Sequence, residues 1–285
     1  MGDLEVDTRL TPLDADGPVS RFSIDLSDDW RIWTLNGGYV AAVALRGAGA
    51  VSAFGRPATL SLQLLSGATA GPAEVRVRSV RRARLAECLA VSIDQGGRRI
   101  AEGHAWTVDT GALGPVHDDA GPRPAGPPDD YPTIQEVLEG RDEDDEGRPS
   151  YPFWENLDVR PATEWDHQVA GPAVAGDWLR FAPTATFDDP FVDAGRVAIA
   201  LDLYSFPSMT RAYDAPIDWI APNIDLHCSF HRDASDSPWL LGHGRSPVAG
   251  GGIAGFTSTA WSEHGRLLAS GGGQMLTRTV GTTGG

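Results

Sequence analysis

The chain contains no lysine, because all 23 basic residues among its 285 are arginines. Without lysine the protein cannot form a Schiff base on a lysine side chain, anchor pyridoxal phosphate or build a P-loop. The acidic residues number 39, which brings the formal net charge to −16. Because a surface of this sign opposes the approach of a polyanion, we expect no nucleic-acid partner.

Cysteine is almost as scarce, since Cys88 and Cys228 are the only two. They are too few for a disulfide framework and lack the spacing of a metal site, which predicts a reducing compartment and no metal centre. Residues 1–16 are acidic and show no secretory signal. No apolar run approaches the roughly 20 residues that span a bilayer. The sequence therefore predicts a cytoplasmic protein without a membrane partner.

The composition changes once along the chain, between Thr110 and Pro152. This stretch is rich in Pro, Gly and Asp and includes the acidic run Asp142–Glu146, which predicts a solvated linker. One segment within it, Thr133–Glu139, has a short helical pattern. We therefore divide the chain into an N-terminal unit (1–110), a linker (111–152) and a C-terminal unit (153–285).

The two flanking units repeat the same signals in the same order. The segments Gly97–Gly103 and Gly265–Gly271 lie 168 residues apart, and each follows a stretch of alternating polarity. Upstream, each unit has a glycine-led apolar helix and then a proline-led alternating strand: 37–45 and Pro57 in the first, 195–203 and Pro222 in the second. A helix without a polar face must be covered on several sides. The pattern predicts an α+β fold in which a curved antiparallel sheet wraps a central helix in each unit, with the two sheets paired edge to edge.

Polar residues that could carry chemistry lie mainly in the C-terminal unit. Asp202 interrupts an apolar helix, where a carboxylate must either reach solvent or be held by hydrogen-bond donors. The strand from Asn223 to His231 alternates, which predicts that its odd-numbered residues share one polar face. His227 and His231 are then about 13 Å apart along the strand, too far for one metal ion. Gln274 follows three glycines, which indicate a bulge, a close ligand approach or relief of crowding.

Two features of the N-terminal unit are candidates for substrate contacts. Asn36-Gly37-Gly38 begins the first helix, where it either caps the helix or lets a ligand approach the free N–H groups of the first turn. Five arginines between Arg76 and Arg84 either hold phosphates or pair with neighbouring acids on a solvated strand. Motifs for dinucleotides, nucleoside triphosphates, zinc proteases and serine hydrolases are missing from the sequence. We therefore predict no cofactor.

These segments resemble the acyl-CoA thioesterase II family. The resemblance covers nearly the whole chain apart from the linker and rests on five groups of residues: Asn36–Leu45, Arg76–Arg84, Asp202 ahead of Phe206-Pro207, Ile224-Asp225 ahead of Phe230-His231-Arg232, and Gly265–Ser270. It implies a double hotdog fold and the hydrolysis of acyl-CoA or acyl-carrier thioesters to free acid and thiol. It also implies a role in fatty acid metabolism and a homo-oligomer.

The resemblance further implies a catalytic set of Asp202, Asn223 and Gln274, which together activate a water molecule. Asn223 stands where the family usually has threonine, so it offers an amide in place of a hydroxyl. Counted from Ser270, the family's glutamine would align with Gly273. Gln274 then lies one residue later and on the opposite face, unless the glycines form a bulge.

The resemblance also implies substrate contacts in the N-terminal unit. The amides near Gly38 and Tyr39 would polarise the thioester carbonyl as an oxyanion site. The arginines Arg76, Arg78 and Arg82 would meet the phosphates of CoA.

Two other functions stay open at this point. The first is an acyl-binding or assembly protein on the same scaffold, impaired in catalysis by the displaced glutamine. The second is a hotdog dehydratase or hydratase, which requires a paired histidine and acid. Neither H-x-x-x-G-x-x-x-x-P nor D-x-N-P-x-x-x-H occurs in the sequence, so we rank this function last.

Overall fold

The computed structural model describes residues 1–111, 114–139, 151–163 and 169–279. The acidic run Asp142–Glu146, predicted to be a solvated linker, lies outside the described residues.

The N-terminal half consists mainly of antiparallel strands around one long helix. Its elements are α1 (Leu4–Asp7), β1 (Thr11–Asp16), β2 (Val19–Leu26), α2 (Gly37–Val51), β3 (Arg56–Leu64), β4 (Gly71–Arg82), β5 (Ala86–Gln95) and β6 (Arg98–Val108). A short helix, α3 (Ile134–Leu138), follows in the connecting stretch. The Thr133 side chain accepts from the Glu136 amide and the Glu136 carboxylate accepts from Thr133, which forms a capping box at the position of the predicted short helical pattern.

The C-terminal half repeats this arrangement. Its elements are β7 (Leu157–Pro161), β8 (Val174–Phe181), α4 (Pro190–Leu203), α5 (Ser205–Thr210), β9 (Trp219–Ile220), β10 (Asp225–Phe230), β11 (Trp239–Gly250), β12 (Ile253–Ser262), β13 (Leu267–Leu276) and β14 (Arg278–Thr279). Among the described strands, β9 and β14 pair only with each other.

The other twelve strands of the described residues form one antiparallel sheet with the order β1-β2-β4-β5-β6-β3-β10-β13-β12-β11-β8-β7. Outward from the central pair β3 and β10, the strands of the two halves follow one another in the same order. The sheet therefore has a pseudo-two-fold axis at that pair. The backbones of β3 and β10 pair in register from Thr59 opposite Ser229 to Gln63 opposite Asp225. This pairing removes the exposed edge that each half would otherwise present.

The two long helices lie side by side on the inner face of the sheet. Their close approach depends on glycine: a Cβ on Gly38 would lie 2.5 Å from the Cα of Ile199, and one on Gly195 would lie 2.9 Å from the Cβ of Ala42. The order of these contacts shows that α2 and α4 are antiparallel. The first turn of α2 therefore meets the last turn of α4.

The predicted fold class is confirmed, with a correction to one helix. Each helix is covered by its own half of the sheet, and the two halves join edge to edge as expected. The second helix begins at Pro190 with Asp189 as its N-cap, five residues before the predicted start at Gly195. Gly195 is where α4 crosses α2, which accounts for a glycine inside the helix.

The sequence predicts no membrane-spanning segment. Among the described residues, no helix is both long enough and apolar enough to cross a bilayer.

Candidate active site

The last turn of α4 carries a buried carboxylate. Asp202 is 5% exposed and is surrounded in its helix by Leu201, Leu203 and other apolar residues. Burial raises the pKa of Asp202 above its ordinary value, because a charge in an apolar environment loses the hydration it has in water. An acid in this position requires specific hydrogen-bond donors to be ionised near neutral pH.

Three donors from two other segments reach this carboxylate. Asn223 Nδ2 donates to Asp202 Oδ1 at 2.6 Å, and the backbone N–H of Gly38 donates to Oδ2 at 2.9 Å. Asn36 Nδ2 also donates to Oδ2 at 2.9 Å. These hydrogen bonds favour the ionised form and act against burial on the pKa of Asp202. The carboxylate is therefore held by donors from both halves of the chain, which is one of the two alternatives that the sequence left open.

The start of α2 is organised around Asn36. Its side-chain oxygen accepts from the Tyr39 N–H at 3.0 Å, so the residue caps the helix with its oxygen and binds Asp202 with its amide nitrogen. The sequence predicted a helix cap or a ligand approach at Asn36-Gly37-Gly38, but no contact of Asn36 with Asp202. The Asn-Gly-Gly spacing is a signal for the second role, because Gly37 and Gly38 leave room for the carboxylate: a Cβ on Gly37 would lie 2.9 Å from Asp202 Oδ1.

The amides of Gly38 and Tyr39, predicted to form an oxyanion site, are already hydrogen-bonded. The N–H of Gly38 is held by Asp202 and that of Tyr39 by Asn36. Among the described residues, the Gly37 N–H is the amide of this turn without a hydrogen-bond partner. The geometry thus favours Gly37 over its two neighbours as a donor to an incoming oxygen.

Asn223 reaches the site because the pairing of its strand with β13 shifts by one residue. His227 lies opposite Gly272, whereas Asn223 lies opposite Met275, so an extra residue is accommodated between the two points. A one-residue shift reverses the faces of a strand. Asn223 therefore points to Asp202 and Ile224 becomes 39% exposed. The expectation that Asn223 shares the outer face of His227 is wrong for this reason.

The side-chain oxygen of Asn223 is also available as a hydrogen-bond acceptor. Its Oδ1 is buried and has no hydrogen-bond partner among the residues that the structure describes. A buried acceptor without a partner is costly, and a water molecule is the usual group that satisfies it. Asp202 Oδ1 and Asn223 Oδ1 together offer two acceptors for the two protons of one water.

Gln274 lies away from this cluster. The register between β12 and β13 is unbroken from Ala254 opposite Met275 to Ala260 opposite Ala269, so the glycines form no bulge against β12. Gln274 is consequently exposed on the outer face beside Gly255, and its described hydrogen bonds are made by its backbone. The structure does not bring its side chain to Asp202.

The arginines of β4 lie on the outer face of the sheet, whereas their neighbours Val75 and Val77 point toward the helices. Arg76 pairs with Glu74 at 2.7 Å, and Arg82 pairs with the buried Glu87 at 2.9 Å. These pairs match the alternative in which the arginines neutralise neighbouring acids. Arg76, Arg78 and Arg82 are therefore not brought to Asp202 within one chain.

The outer face of the central strands also carries the histidines. His227 Nδ1 lies 2.7 Å from Ser61 Oγ, and His231 Nε2 lies 2.9 Å from Ser270 Oγ. No histidine is among the described hydrogen-bond partners of Asp202. Within the described residues, no group of three or more His, Cys, Asp or Glu side chains is arranged to hold a metal ion.

The pseudo-two-fold axis relates this site to a second location with different residues. Counted from the N-caps Asn36 and Asp189, Phe191 takes the place of Gly38, and Gly49 takes the place of Asp202. The Phe191 ring fills the space beside Gly49, where an added Cβ would lie 2.5 Å from the ring. At the position equivalent to Asp202, the second location therefore has a packed apolar contact in place of a carboxylate.

The sequence matches two family models that together cover most of the chain. Residues 26–108 match the acyl-CoA thioesterase N-terminal domain, and residues 128–272, more than half of the chain, match the acyl-CoA thioesterase C-terminal domain. The chain belongs to the acyl-CoA thioesterase family. Acyl-CoA thioesterases hydrolyse thioesters, and this protein is accordingly a thioester hydrolase.

Solved structures share the fold of this acyl-CoA thioesterase family member. An acyl-CoA thioesterase II from Mycobacterium marinum is 23% identical with a TM-score of 0.71, covering 97% of this chain and 98% of its own. A protein with the hot dog fold from Alicyclobacillus acidocaldarius is 18% identical with a TM-score of 0.75, covering 97% and 98%. The dehydratase domain of PpsC from Mycobacterium tuberculosis, solved with C12:1-CoA, is 15% identical with a TM-score of 0.59, covering 96% and 99%. No curated protein sequence matches the chain.

Proposed function

We propose that this thioesterase hydrolyses acyl-CoA thioesters at Asp202, with that carboxylate as the general base. The observation that supports the proposal is the convergence of Asn36, Gly38 and Asn223 on one buried carboxylate in the seam between the halves. Donors of this kind favour the ionised form of a buried acid, and a general base must be ionised to act.

The reaction begins with a water molecule held between Asp202 Oδ1 and Asn223 Oδ1. Asp202 accepts one proton while the water oxygen forms a bond to the thioester carbonyl carbon, which gives a tetrahedral oxyanion. The Gly37 N–H at the start of α2 donates to that oxyanion, and the helix dipole adds to the effect. Collapse of the intermediate breaks the C–S bond, and the proton on Asp202 passes to the departing sulfur. The products are a carboxylic acid and a thiol.

The test is the release of thiol from acyl-CoA by wild type and by Asp202→Asn. The thiol assay suits this protein because Cys88 and Cys228 are both buried and give little background. We expect the variant to lose at least about 100-fold in kcat, the lower range for loss of a positioned general base. Wild-type kcat in Asp202→Asn would remove this residue from the mechanism.

The Asn223 role has a separate test with two variants. Asn223→Ala removes both the donor to Asp202 and the free acceptor, and we expect kcat to fall about 10- to 100-fold, since a positioned polar group is lost. Asn223→Thr keeps a hydroxyl donor and acceptor and should retain more activity than the alanine variant. Equal activities in the two variants would contradict a role in positioning water.

An acyl-binding protein without turnover is the second candidate. It is favoured by the outward position of Gln274 and by the engagement of the Gly38 and Tyr39 amides. Equilibrium binding of acyl-CoA together with no thiol release, over acyl chains from short to long, would establish it. Thiol release that disappears in Asp202→Asn would exclude it.

The substrate contacts and the setting of the protein remain sequence-based proposals. We retain Gln274, Arg76, Arg78 and Arg82 as candidates that act through a carrier or a neighbouring copy, since they lie on the outer face. The same proposal includes division of the chain at the linker 111–152 and an acyl-carrier thioester as substrate. It also includes a role in fatty acid metabolism, a cytoplasmic location and a homo-oligomeric state. Light scattering on purified protein tests the last of these directly.

A further inference from the structure

Aromatic side chains form a second layer next to the polar residues of the site. Trp33 precedes Asn36 by three residues, Phe206 follows Asp202 by four, and Trp219 precedes Asn223 by four. The Trp33 and Phe206 ring centroids are 5.0 Å apart, and those of Phe206 and Trp219 are 5.7 Å apart, both edge to face. We call Trp33, Phe206, Trp219 and Tyr213 the aromatic layer; the Tyr213 ring lies 5.2 Å from that of Trp219.

The aromatic layer has the same connectivity as the polar cluster. In the polar cluster Asp202 is contacted on one side by Asn36 and on the other by Asn223. In the aromatic layer Phe206 is contacted on one side by Trp33 and on the other by Trp219. Four residues separate Asp202, at the end of α4, from Phe206 in α5, with Tyr204 between the two helices. The same three segments therefore present a polar group and, three or four residues along the chain, an aromatic ring.

The two layers differ in their exposure to solvent. Asp202 is 5% exposed, whereas Trp33 is 42% and Tyr213 is 39% exposed. Large aromatic side chains left in water forgo the free energy of burial, and a ligand that covers them recovers it. An exposed apolar surface beside a reactive group is typical of a binding site.

We propose that the aromatic layer binds the apolar acyl group of the thioester and sets the acyl-chain preference of the enzyme. The acyl chain is joined directly to the carbonyl carbon that water attacks, so its first carbons lie next to the Asp202 site. The rings provide apolar faces and edges for these carbons. This inference rests on the proposed reaction at Asp202.

The chemistry of the layer suits an acyl chain better than the CoA moiety. The phosphates of CoA require cations, and the four side chains of the layer are uncharged. The pantetheine arm carries amides that need hydrogen-bond partners, whereas the Phe206 ring at the centre of the layer offers none. An apolar acyl chain imposes neither requirement.

The test measures kcat/KM against acyl length in two series, acyl-CoA and the matching acyl thioesters of N-acetylcysteamine, from two to twelve carbons. In wild type we expect kcat/KM to rise by up to about fourfold per methylene until the layer is covered. In Trp33→Ala the rise should flatten, with a loss of about tenfold for octanoyl and less than about twofold for acetyl substrates, equally in both series. Trp33→Phe, which keeps an apolar ring, should restore most of the slope.

Trp106→Ala provides a matched control, because Trp106 is 38% exposed and lies on β6, outside the aromatic layer. It should leave the slope unchanged. A Trp33→Ala loss that is the same for every acyl length and disappears with N-acetylcysteamine would assign the layer to the carrier and overturn the proposal. An unchanged slope in Trp33→Ala would overturn it as well.

A binding measurement separates this proposal from the proposed reaction. Non-hydrolysable acyl thioethers of CoA can be titrated into Asp202→Asn, with the change in tryptophan fluorescence as the signal. We expect the dissociation constant to fall with acyl length in Asp202→Asn and to lose that dependence when Trp33→Ala is added. If wild type released no thiol while this dependence persisted, the proposed reaction would fail and the acyl-binding role would stand. Binding that is independent of acyl length would overturn the acyl-binding role alone.

Discussion

At the scale of single residues, Asp202 combines an unfavourable location with favourable partners. Burial raises its pKa, while the hydrogen bonds from Asn223, Gly38 and Asn36 lower it. The net direction is upward, so the folded protein holds the Asp202 proton more tightly than the unfolded chain does. The ionised Asp202 that the proposed reaction requires therefore lowers the stability of the folded protein.

The first prediction concerns stability against pH. A raised folded-state pKa gives a contribution to stability that is fully present below the unfolded pKa of Asp and is lost as pH rises through the folded pKa. Asp202→Asn cannot ionise, so its Tm should equal or exceed that of wild type above this range. The new amide is accommodated if the Asn223 amide flips to present its oxygen. Thermal melts between pH 4 and pH 8 check this, and a Tm well below wild type at neutral pH would contradict it.

The second prediction separates the two roles of Asn36. Asn36→Ser keeps an N-cap for α2 but is too short to donate to Asp202. Loss of one donor to the ionised form should raise the pKa of Asp202 further. The acid limb of the kcat/KM profile should therefore move to higher pH, with Tm reduced by no more than a few degrees.

Asn36→Asp is the companion variant for the same measurement. It also caps the helix, but it places a second carboxylate against Asp202 and should move the acid limb further than Asn36→Ser. If the pH profile of kcat/KM is unchanged in both variants, Asn36 acts only as a helix cap.

At the scale of elements, the entry into β10 determines whether Asn223 faces the site. The shifted pairing leaves the Gln274 N–H without the β10 carbonyl of a regular ladder, and the Asp225 carboxylate accepts from it at 2.7 Å. A side chain thereby replaces a strand hydrogen bond at the point where Asn223 changes face.

The third prediction tests this replacement. Asp225→Ala removes the acceptor for Gln274 N–H and should cost about 0.5–1.5 kcal/mol in stability, the net contribution of a hydrogen bond whose exposed donor can turn to water when the bond is lost. It should also lower kcat several-fold, because Asn223 loses its fixed position. Asp225→Asn keeps an acceptor oxygen and should retain most of both. Urea unfolding and steady-state kinetics on the two variants distinguish them, and identical behaviour would exclude the role of Asp225.

The elements themselves were largely predictable from the sequence, because periodicity and glycine-led turns report on local structure. Gly97 and Gly265, which begin the two repeated segments, both adopt the left-handed backbone conformation that hairpin turns require. The site was predictable only in part. Asp202 is conspicuous in an apolar helix, but its contact with Asn36 joins residues 166 apart. The face of Asn223 depends on a one-residue shift that alternation of polarity does not encode.

At the scale of the whole molecule, the pairing of β3 with β10 and the packing of α2 on α4 hold the two halves together. Asp202 and its partners lie in this seam. The active site therefore exists only when both halves are folded and docked.

The fourth prediction follows from this construction. Heat or urea should unfold the chain in one cooperative transition, because neither half can open without exposing a sheet edge and a helix face of the other. Calorimetry should give equal calorimetric and van't Hoff enthalpies. Loss of thiol-release activity should coincide with loss of far-UV circular dichroism, and two separated transitions would contradict the prediction.

The contact of Phe191 with Gly49 has a consequence for how this architecture evolves. In a symmetric dimer of identical units, any substitution appears at both equivalent positions, so a pocket cannot be filled without abolishing its twin. A single chain that carries both copies is free of that constraint. One location has Asp202 and its donors, whereas at the equivalent positions of the other a phenylalanine packs on glycine. Covalent fusion of the halves thus lets catalysis and packing be optimised independently at two structurally equivalent locations.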